Sequence, residues 1–413
     1  MAGEATISGS AAALKYLYPD GTPPKNINDQ YMLLKDIKKE TGFVGDSAYV
    51  PVQNANPQGC SSTVPNAQTA LNQGNYVRFQ LTRKSHYSLA RITGEAAEAA
   101  VRDEGALVDL WENETKGAAT TEMQVTAAYL YGNGDATLAQ LDGSGAVAAT
   151  TITLSTSANM NYFELNALLG AVSTTGLSPT VRSGSARVTG IDRRSRTLTS
   201  GSNWSTQITG LTNTDYLVRY GDNASAGSGV VITGMSGYVV GGTSPGTLFG
   251  LNRNSDPVRL AGQNIDYTGW AMEDAVVDAS AQAGFQGLGY PTTLYANNID
   301  VANMKKSLGA KINFYRPDSS KGVHSFSELV IEGENGPITI KADPFCPRNT
   351  AYLLKMDAFS LFSIKAWPHI CKFDGLDFLR LSTDDVFEVR WVAYGNVKCK
   401  NPGPQVVLTN FGK

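Results

Sequence analysis

The sequence predicts an α+β chain: an arm, an extended β-hairpin, a long helix and a returning sheet, with a small β-rich domain inserted between them. Three observations point to this. The run Tyr76-Val77-Arg78-Phe79-Gln80-Leu81-Thr82 alternates apolar and polar residues, the period-two pattern of a half-buried strand. It leads through Arg83 to Ile92 into an Ala-rich, charge-rich stretch that predicts one helix from about Glu95 to Leu130, roughly 50 Å long. Glycine, 42 residues in all, concentrates with Ser, Thr and Asn between Gly132 and Gly289, the mixture of short strands joined by many turns.

Residues 1–45 read as an N-terminal arm, with a Pro- and Asn-containing stretch followed by a short helix from Asp29 to Glu40. Residues 46–85 form an extended loop. Its two strands, Ala48 to Gln53 and Asn75 to Thr82, flank a polar segment containing Pro57, Gly59, Pro65 and Gly74, and a hairpin of this length needs a neighbour to pack against. Residues 86–135 carry the long helix. Thr93 is its expected N-cap, and Glu95 and Glu98 stand near the positive end of the dipole. Leu107, Leu110, Trp111, Ala118, Val125 and Tyr129 recur at three- and four-residue steps, so one side lies on something and the other faces water. Tyr131-Gly132-Asn133-Gly134-Asp135 stops the helix, because Gly and Asn tolerate the left-handed backbone that ends helices.

Residues 136–234 then read as the inserted β-rich domain, a small barrel or sandwich. Its expected strands run from Thr150 to Leu154, Ala186 to Ile191, Arg196 to Thr199 and Asp215 to Tyr220. Residues 235–345 return to mixed character, with helices expected from Tyr267 to Ala283 and from Asp300 to Gly309. The last section, 346–413, alternates in Ala351 to Met356 and Phe387 to Tyr394, ends in a strand from Val406 to Leu408, and is expected to close the sheet of the long helix.

The 413 residues are 42% hydrophobic, enough for a core in each of two or three domains. Only 17% are charged, and 34 basic against 37 acidic side chains leave a net charge of -3, unlike a dedicated nucleic-acid binder. No basic and apolar leader opens the chain and no apolar run approaches a membrane span, which predicts a cytosolic origin and no membrane partner. Cys60, Cys346, Cys371 and Cys399 are too widely spaced for a zinc ribbon or a thioredoxin-like pair. The sequons at Asn113, Asn203 and Asn223 are read as chance occurrences.

Catalytic chemistry finds no support. His86, His324 and His369 have no carboxylate or second histidine at helical spacing, Gly143-Ser144-Gly145 reads as a hairpin turn, and Glu332, Glu334, Asp374, Asp377, Asp384 and Asp385 sit in turn-like contexts. No catalytic residue, cofactor or metal is expected. The charge pattern points instead to contacts between copies. Arg78, Arg83 and Lys84 make the ribbon basic, the helix start carries Glu95, Glu98 and Asp103, and a basic loop of one copy on the acidic helix of the next closes into rings.

This order of parts resembles the major capsid protein of tailed bacteriophages, the Hong Kong ninety-seven capsid fold. The likeness rests on Tyr76 to Asn133, including "RKSHYSLARITGEAAE", and on Leu329 to Gly403, including "LVIEGENGPITIKADPFCPRNTAYLLKMDAFSLFS", "DGLDFLRLS" and "EVRWVAYGNVKCKNPG". The resemblance implies a peripheral domain from 86–135 and 346–413, an axial domain from 235–345, and an extended loop overlying the neighbouring subunit. It implies a shell of pentamers and hexamers enclosing packaged double-stranded DNA without sequence-specific binding, in a virion assembled in host bacterial cytoplasm. The expected partners are copies of the chain, a separate scaffolding protein and a portal protein, with decoration proteins left open. Arg78, Arg83 and Lys84 are the expected overlap residues, with Glu95, Glu98 and Asp103 as acceptors. Lys84 and Asn396 are the nearest candidates for a covalent weld of the kind some relatives use, in a setting that does not single them out, and the 29–40 helix is expected to clamp subunits together. Two other readings stand beside this one: a carbohydrate- or ligand-binding surface protein using Trp204, Tyr216 and Tyr220 as an aromatic platform, and a tail or adaptor protein of a virion.

Overall fold

The computed structural model describes residues 30–95, 110–223, 227, 229–285, 289–308, 329–334, 336–372, 375–376, 379–380 and 384–413. Three six-stranded sheets carry their architecture.

The first sheet is organised by the long strand Val386–Cys399. Strand Lys84–Thr93 pairs antiparallel with it, Lys84 opposite Gly395 and Thr93 opposite Val386. Phe359–Ser363 pairs with its far end, and Lys38–Thr41 adds on in parallel. The sequence reading took 84–93 as a lead into the helix. Its alternation of exposed Tyr87 and Leu89 with buried Ala90 and Ile92 is instead that of a half-covered strand. The covered face lies under helix Leu110–Tyr129, where Ser88 donates to the Ala118 carbonyl at 2.9 Å and the Trp391 indole donates to that of Thr115 at 3.0 Å. The part of the predicted helix from 96–109 falls outside the described residues.

The second sheet spans the expected insertion, in the order Thr137–Gln140, Tyr216–Arg219, Leu168–Val172, Ala186–Asp192, Thr197–Ser200, Thr151–Thr153. A bridge between Leu141 and Leu154 joins its first and last strands, with Ser155 N donating to Gln140 O at 3.0 Å and Asp142 N to Thr153 O at 3.1 Å. The sheet therefore closes on itself. It is a small barrel filled by residues such as Leu154, Leu169, Val188, Leu198 and Leu217.

The third sheet runs Gln263–Asp266, Val406–Thr409, Thr350–Leu354, Thr293–Ala296, Gly336–Ala342, Leu329–Gly333. Helices Met272–Phe285 and Asn298–Leu308 cover it through Ala275, Val276, Ala279, Val301 and Met304. The final section, expected to close one sheet, is thus divided: 386–399 joins the sheet of the long helix, whereas Thr350–Leu354 and Val406–Thr409 join this one. Alternation marks a strand without naming its partner.

Candidate assembly surfaces

The ribbon consists of Ser47–Ala55 and Asn75–Thr82 paired antiparallel, with Ser47 opposite Thr82 and Gln53 opposite Tyr76. Its base is seated on its own chain. Phe79 and Leu81 are buried with Phe43 and Val50 against Phe249, Leu251 and Phe362, and Gln80 N donates to Phe249 O at 2.9 Å. Farther out, Arg259 Nη1 donates to Asn54 O at 2.9 Å. The outer part is exposed, and its short helix Val64–Thr69 buries no residue.

The basic residues expected at an intersubunit contact are engaged at home. Arg78 lies over the Tyr49 ring, 4.5 Å from its centroid. Arg83 donates from Nη1 to Gly45 O at 3.0 Å, and Lys84 Nζ donates to Gly229 O. Burial pushes the Lys84 ammonium below its ordinary range, with Asp46 opposing. Glu95 is exposed, while Glu98 and Asp103 lie outside the described residues. Asn396, the suggested weld partner of Lys84, is buried and hydrogen-bonded at both ends of its amide: Oδ1 accepts from Thr233 N and Val397 N, both at 2.8 Å, and Nδ2 donates to Thr82 O at 2.9 Å.

The described part of the arm, residues 30–45, is anchored on the body. The expected helix from Asp29 to Glu40 is a single turn, Met32–Asp36, followed by the strand Lys38–Thr41, and Leu33, Leu34 and Ile37 are buried in the main core. These three side chains pack within their own chain, while Met32 on the same turn is exposed. Asp343 accepts from Leu33 N and Tyr131 OH, each at 2.9 Å, and from Phe345 N at 2.8 Å. Asp36 takes Tyr295 OH at 2.6 Å and Lys341 Nζ at 2.8 Å. Glu40 meets Lys398 Nζ at 2.9 Å, and this hydrogen bond is the main reason its carboxyl falls to about 2.

A polar node that sequence spacing did not reveal joins strand, helix and insertion. His86 Nδ1 is 2.6 Å from Glu122 Oε2, His86 Nε2 is 3.7 Å from Asp222 Oδ2, and Tyr129 OH donates to that same oxygen at 2.7 Å. The signal was present in the helix pattern, since Glu122 falls on the inward face with Ala118, Val125 and Tyr129. Beside it lies a hollow lined by Lys84, His86, Thr126, Tyr129, Val231 and Trp367, with room for about 10 Å³, one water molecule. Among the described residues no group of three or more His, Cys, Asp and Glu is placed to hold a metal ion, and no helix is long and apolar enough to cross a membrane.

The aromatic platform is not assembled. Trp204 is fully buried and its indole donates to Thr150 O at 3.0 Å, a core role, while Tyr220 stands exposed.

No family model matches the chain, and no curated protein matches it in sequence. Solved structures do match. A chain of the cyanophage A-1(L) capsid asymmetric unit superposes over 96% of this chain and 97% of its own, with a TM-score of 0.58 at 10% sequence identity. This chain has the fold of a phage capsid subunit. Weaker likenesses of similar extent run to the capsid of an empty GTA particle computed with C5 symmetry, covering 98% of both chains at a TM-score of 0.49 and 9% identity. Another is to Microbacterium phage Oxtober96, covering 98% of both at 0.47 and 10%. The capsid fold implied by the ribbon, long helix and closing strands is the fold observed, at a sequence identity of 10%.

Proposed function

We propose that this chain is the major capsid protein of a tailed bacteriophage, a non-enzymatic building block that associates with its own copies. The observation that carries the reading is the capsid-subunit fold, matched over nearly the full length of both chains. Residues 1–45 would be the arm, 46–85 the extended loop, 86–135 with most of 346–413 the peripheral domain, 235–345 the axial domain, and 136–234 an inserted barrel. Copies gather into pentamers and hexamers that close an icosahedral head around double-stranded DNA. A separate scaffolding protein and a portal protein complete assembly in the host cytoplasm.

A two-stranded ribbon reaching out from the body suits this work, because an isolated ribbon gains stability by lying on a neighbour. The net charge of -3 suits a wall that must hold DNA without gripping it. Arg78 and Glu95, both exposed, remain contact residues, whereas Arg83 and Lys84 fix the angle at which the ribbon leaves the body. Negative-stain microscopy of the purified chain, alone and with its scaffold, tests the reading: closed shells or capsomer rings support it, and monomers under every condition refute it.

A further inference from the structure

Two polar seams fasten the barrel to the body, and they differ in chemistry. At one, neutral groups meet backbone: Asn159 Nδ2 donates to Pro344 O at 2.8 Å and to Cys346 O at 2.9 Å, and Tyr162 OH donates to Phe345 O at 2.6 Å. Burial holds the Tyr162 hydroxyl well above its ordinary value, so this seam keeps its charge state from neutral into alkaline solution. At the other, just past the barrel strand Tyr216–Arg219, Asp222 meets the His86 ring and the Tyr129 hydroxyl. This seam depends on the proton count of one imidazole.

The two carboxylates on that ring are not equivalent. Glu122 lies 2.6 Å from Nδ1 with no solvent exposure, while Asp222 stands 3.7 Å from Nε2 with its side chain 27% exposed. A protonated ring has two N–H donors and serves both, whereas a neutral ring has one. That one goes to Nδ1, because an unpaired carboxylate costs most where water cannot reach it. Nε2 then turns a lone pair toward Asp222, which keeps the Tyr129 hydroxyl but faces the uncompensated charge of Glu122 across the ring. Being part exposed already, Asp222 can turn to water. The other charged groups here are Lys84, which borders the one-water hollow, donates to Gly229 O and has Asp46 nearby, and Arg219, which lies close to Asp222 and Tyr129.

We propose that His86 is a proton-operated fastener: charged, it clasps the long helix and the barrel exit together, and neutral, it keeps Glu122 and releases Asp222, opening the adjoining hollow to water. The barrel stays folded and stays seated through Asn159 and Tyr162. The hold of two carboxylates on the ring places the release on the alkaline side, at about 9. The fastener lies within one chain and does not depend on the shell reading.

The full-length chain tests this by thiol labelling. Val231 is buried and lines the hollow, so Val231→Cys, close in size, reports its opening. Exposed Cys60 is the internal reference for thiolate reactivity, and buried Cys346 and Cys399 report any wider loosening. From about pH 7 to about pH 10, labelling at position 231 relative to Cys60 should rise by at least about tenfold, while Cys346 and Cys399 stay at least about a hundredfold slower than Cys60. The His86 ring signal in a chain carrying isotope-labelled histidine should titrate over the same interval. Adding His86→Gln should open the hollow already at about pH 7 and abolish the step; should that variant fail to fold, Asp222→Asn carries the same expectation. A step that persists in either variant belongs to Lys84 and overturns the proposal. Labelling of Cys346 and Cys399 in step with position 231 also overturns it, making the ring a prop for the whole fold. A ring that titrates while position 231 stays closed overturns it as well, because Asp222 is then held without the proton.

Discussion

His86 Nδ1 stands 2.6 Å from Oε2 of Glu122, a carboxylate with no solvent exposure, so an imidazole on the strand after the ribbon holds down a charge buried in the long helix. Glu122 Oε1 is buried without a hydrogen-bond partner among the described residues. Asp222, from the stretch leaving the barrel, faces the other ring nitrogen, with Tyr129 bonded to it and Arg219 nearby. One titratable ring therefore links three parts of the fold.

Stability should fall as this ring loses its proton. Burial pushes His86 down, but hydrogen bonds and charges from Asp222 and Glu122 outweigh it and hold the ring at about 9, against an ordinary 6.5. A raised folded-state value contributes stability that is complete below 6.5 and is lost as pH climbs through about 9. Urea unfolding of the wild type should weaken across that window. His86→Gln should cost about 3 kcal/mol at pH 6, by leaving Glu122 buried and unpaired, and the deficit should shrink at alkaline pH. Adding Glu122→Gln should recover much of the loss, so a double-mutant cycle measures the coupling.

Asp343 ties the arm to the body, and weakening it should loosen the arm first. Asp343→Asn puts an amide nitrogen in place of either Oδ2, which accepts from Leu33 N and Tyr131 OH, or Oδ1, which accepts from Phe345 N, so at least one donor loses its acceptor. The expected cost is about 2 kcal/mol. Trypsin cleavage at Lys38 or Lys39, now within the strand paired to Phe359–Ser363, should quicken by about tenfold or more.

What the sequence disclosed was local. Ribbon strands, four of the six barrel strands and the two helices beside the third sheet were legible because alternation, turn residues and helical spacing are written within ten or fifteen neighbouring residues, whereas the barrel strands Thr137–Gln140 and Leu168–Val172 were not expected. Strand Lys38–Thr41 was not, since Lys-Lys-Glu-Thr has no apolar alternation and its partner is Phe359–Ser363, far along the chain. Lys84–Thr93 was misread for a related reason: its partner begins at Val386. The node at His86 was hidden likewise, because its carboxylates come from a helix and from the end of an insertion. Arg78, Arg83 and Lys84 were found as a basic group, yet only the fold reveals that each has a partner in its own chain.

The barrel is joined to the body by two strands of chain that touch, and Gly234 is where a side chain cannot fit. A Cβ there would lie 2.2 Å from Leu130 O and 2.4 Å from Tyr129 O, and Met235 N already donates to Leu130 O at 2.7 Å. Backbone on both sides leaves no flexible atom to yield. Gly234→Ala should cost about 2 kcal/mol or more, seen as a lowered unfolding midpoint. Gly145→Ala, in an open turn with nothing within 4 Å, should change it little.

Glu388 sets the last expectation. It is buried in the open face of the first sheet, with Arg91 Nε at 2.5 Å from Oε2 and Arg390 Nε against Oε1. The two guanidiniums stand on neighbouring strands, half exposed, and the carboxylate between them is what lets two cations share that face. Burial pushes the Glu388 carboxyl up, but hydrogen bonds and charges from Arg390 and Arg91 outweigh it and the group ends below its ordinary 4.5. A depressed value contributes stability present above 4.5 and lost as pH falls through the lower folded value. Glu388→Gln keeps the shape and removes the charge, leaving the arginines to repel each other. It should lower stability by about 2 kcal/mol at pH 7, and the gap to wild type should close as both are titrated below pH 4. Arg390→Met, which removes one cation and keeps the apolar stem, should be tolerated better than Glu388→Gln, because Arg91 still neutralises the buried carboxylate. If the two substitutions cost the same in urea unfolding at pH 7, the carboxylate is not the group that holds this face together.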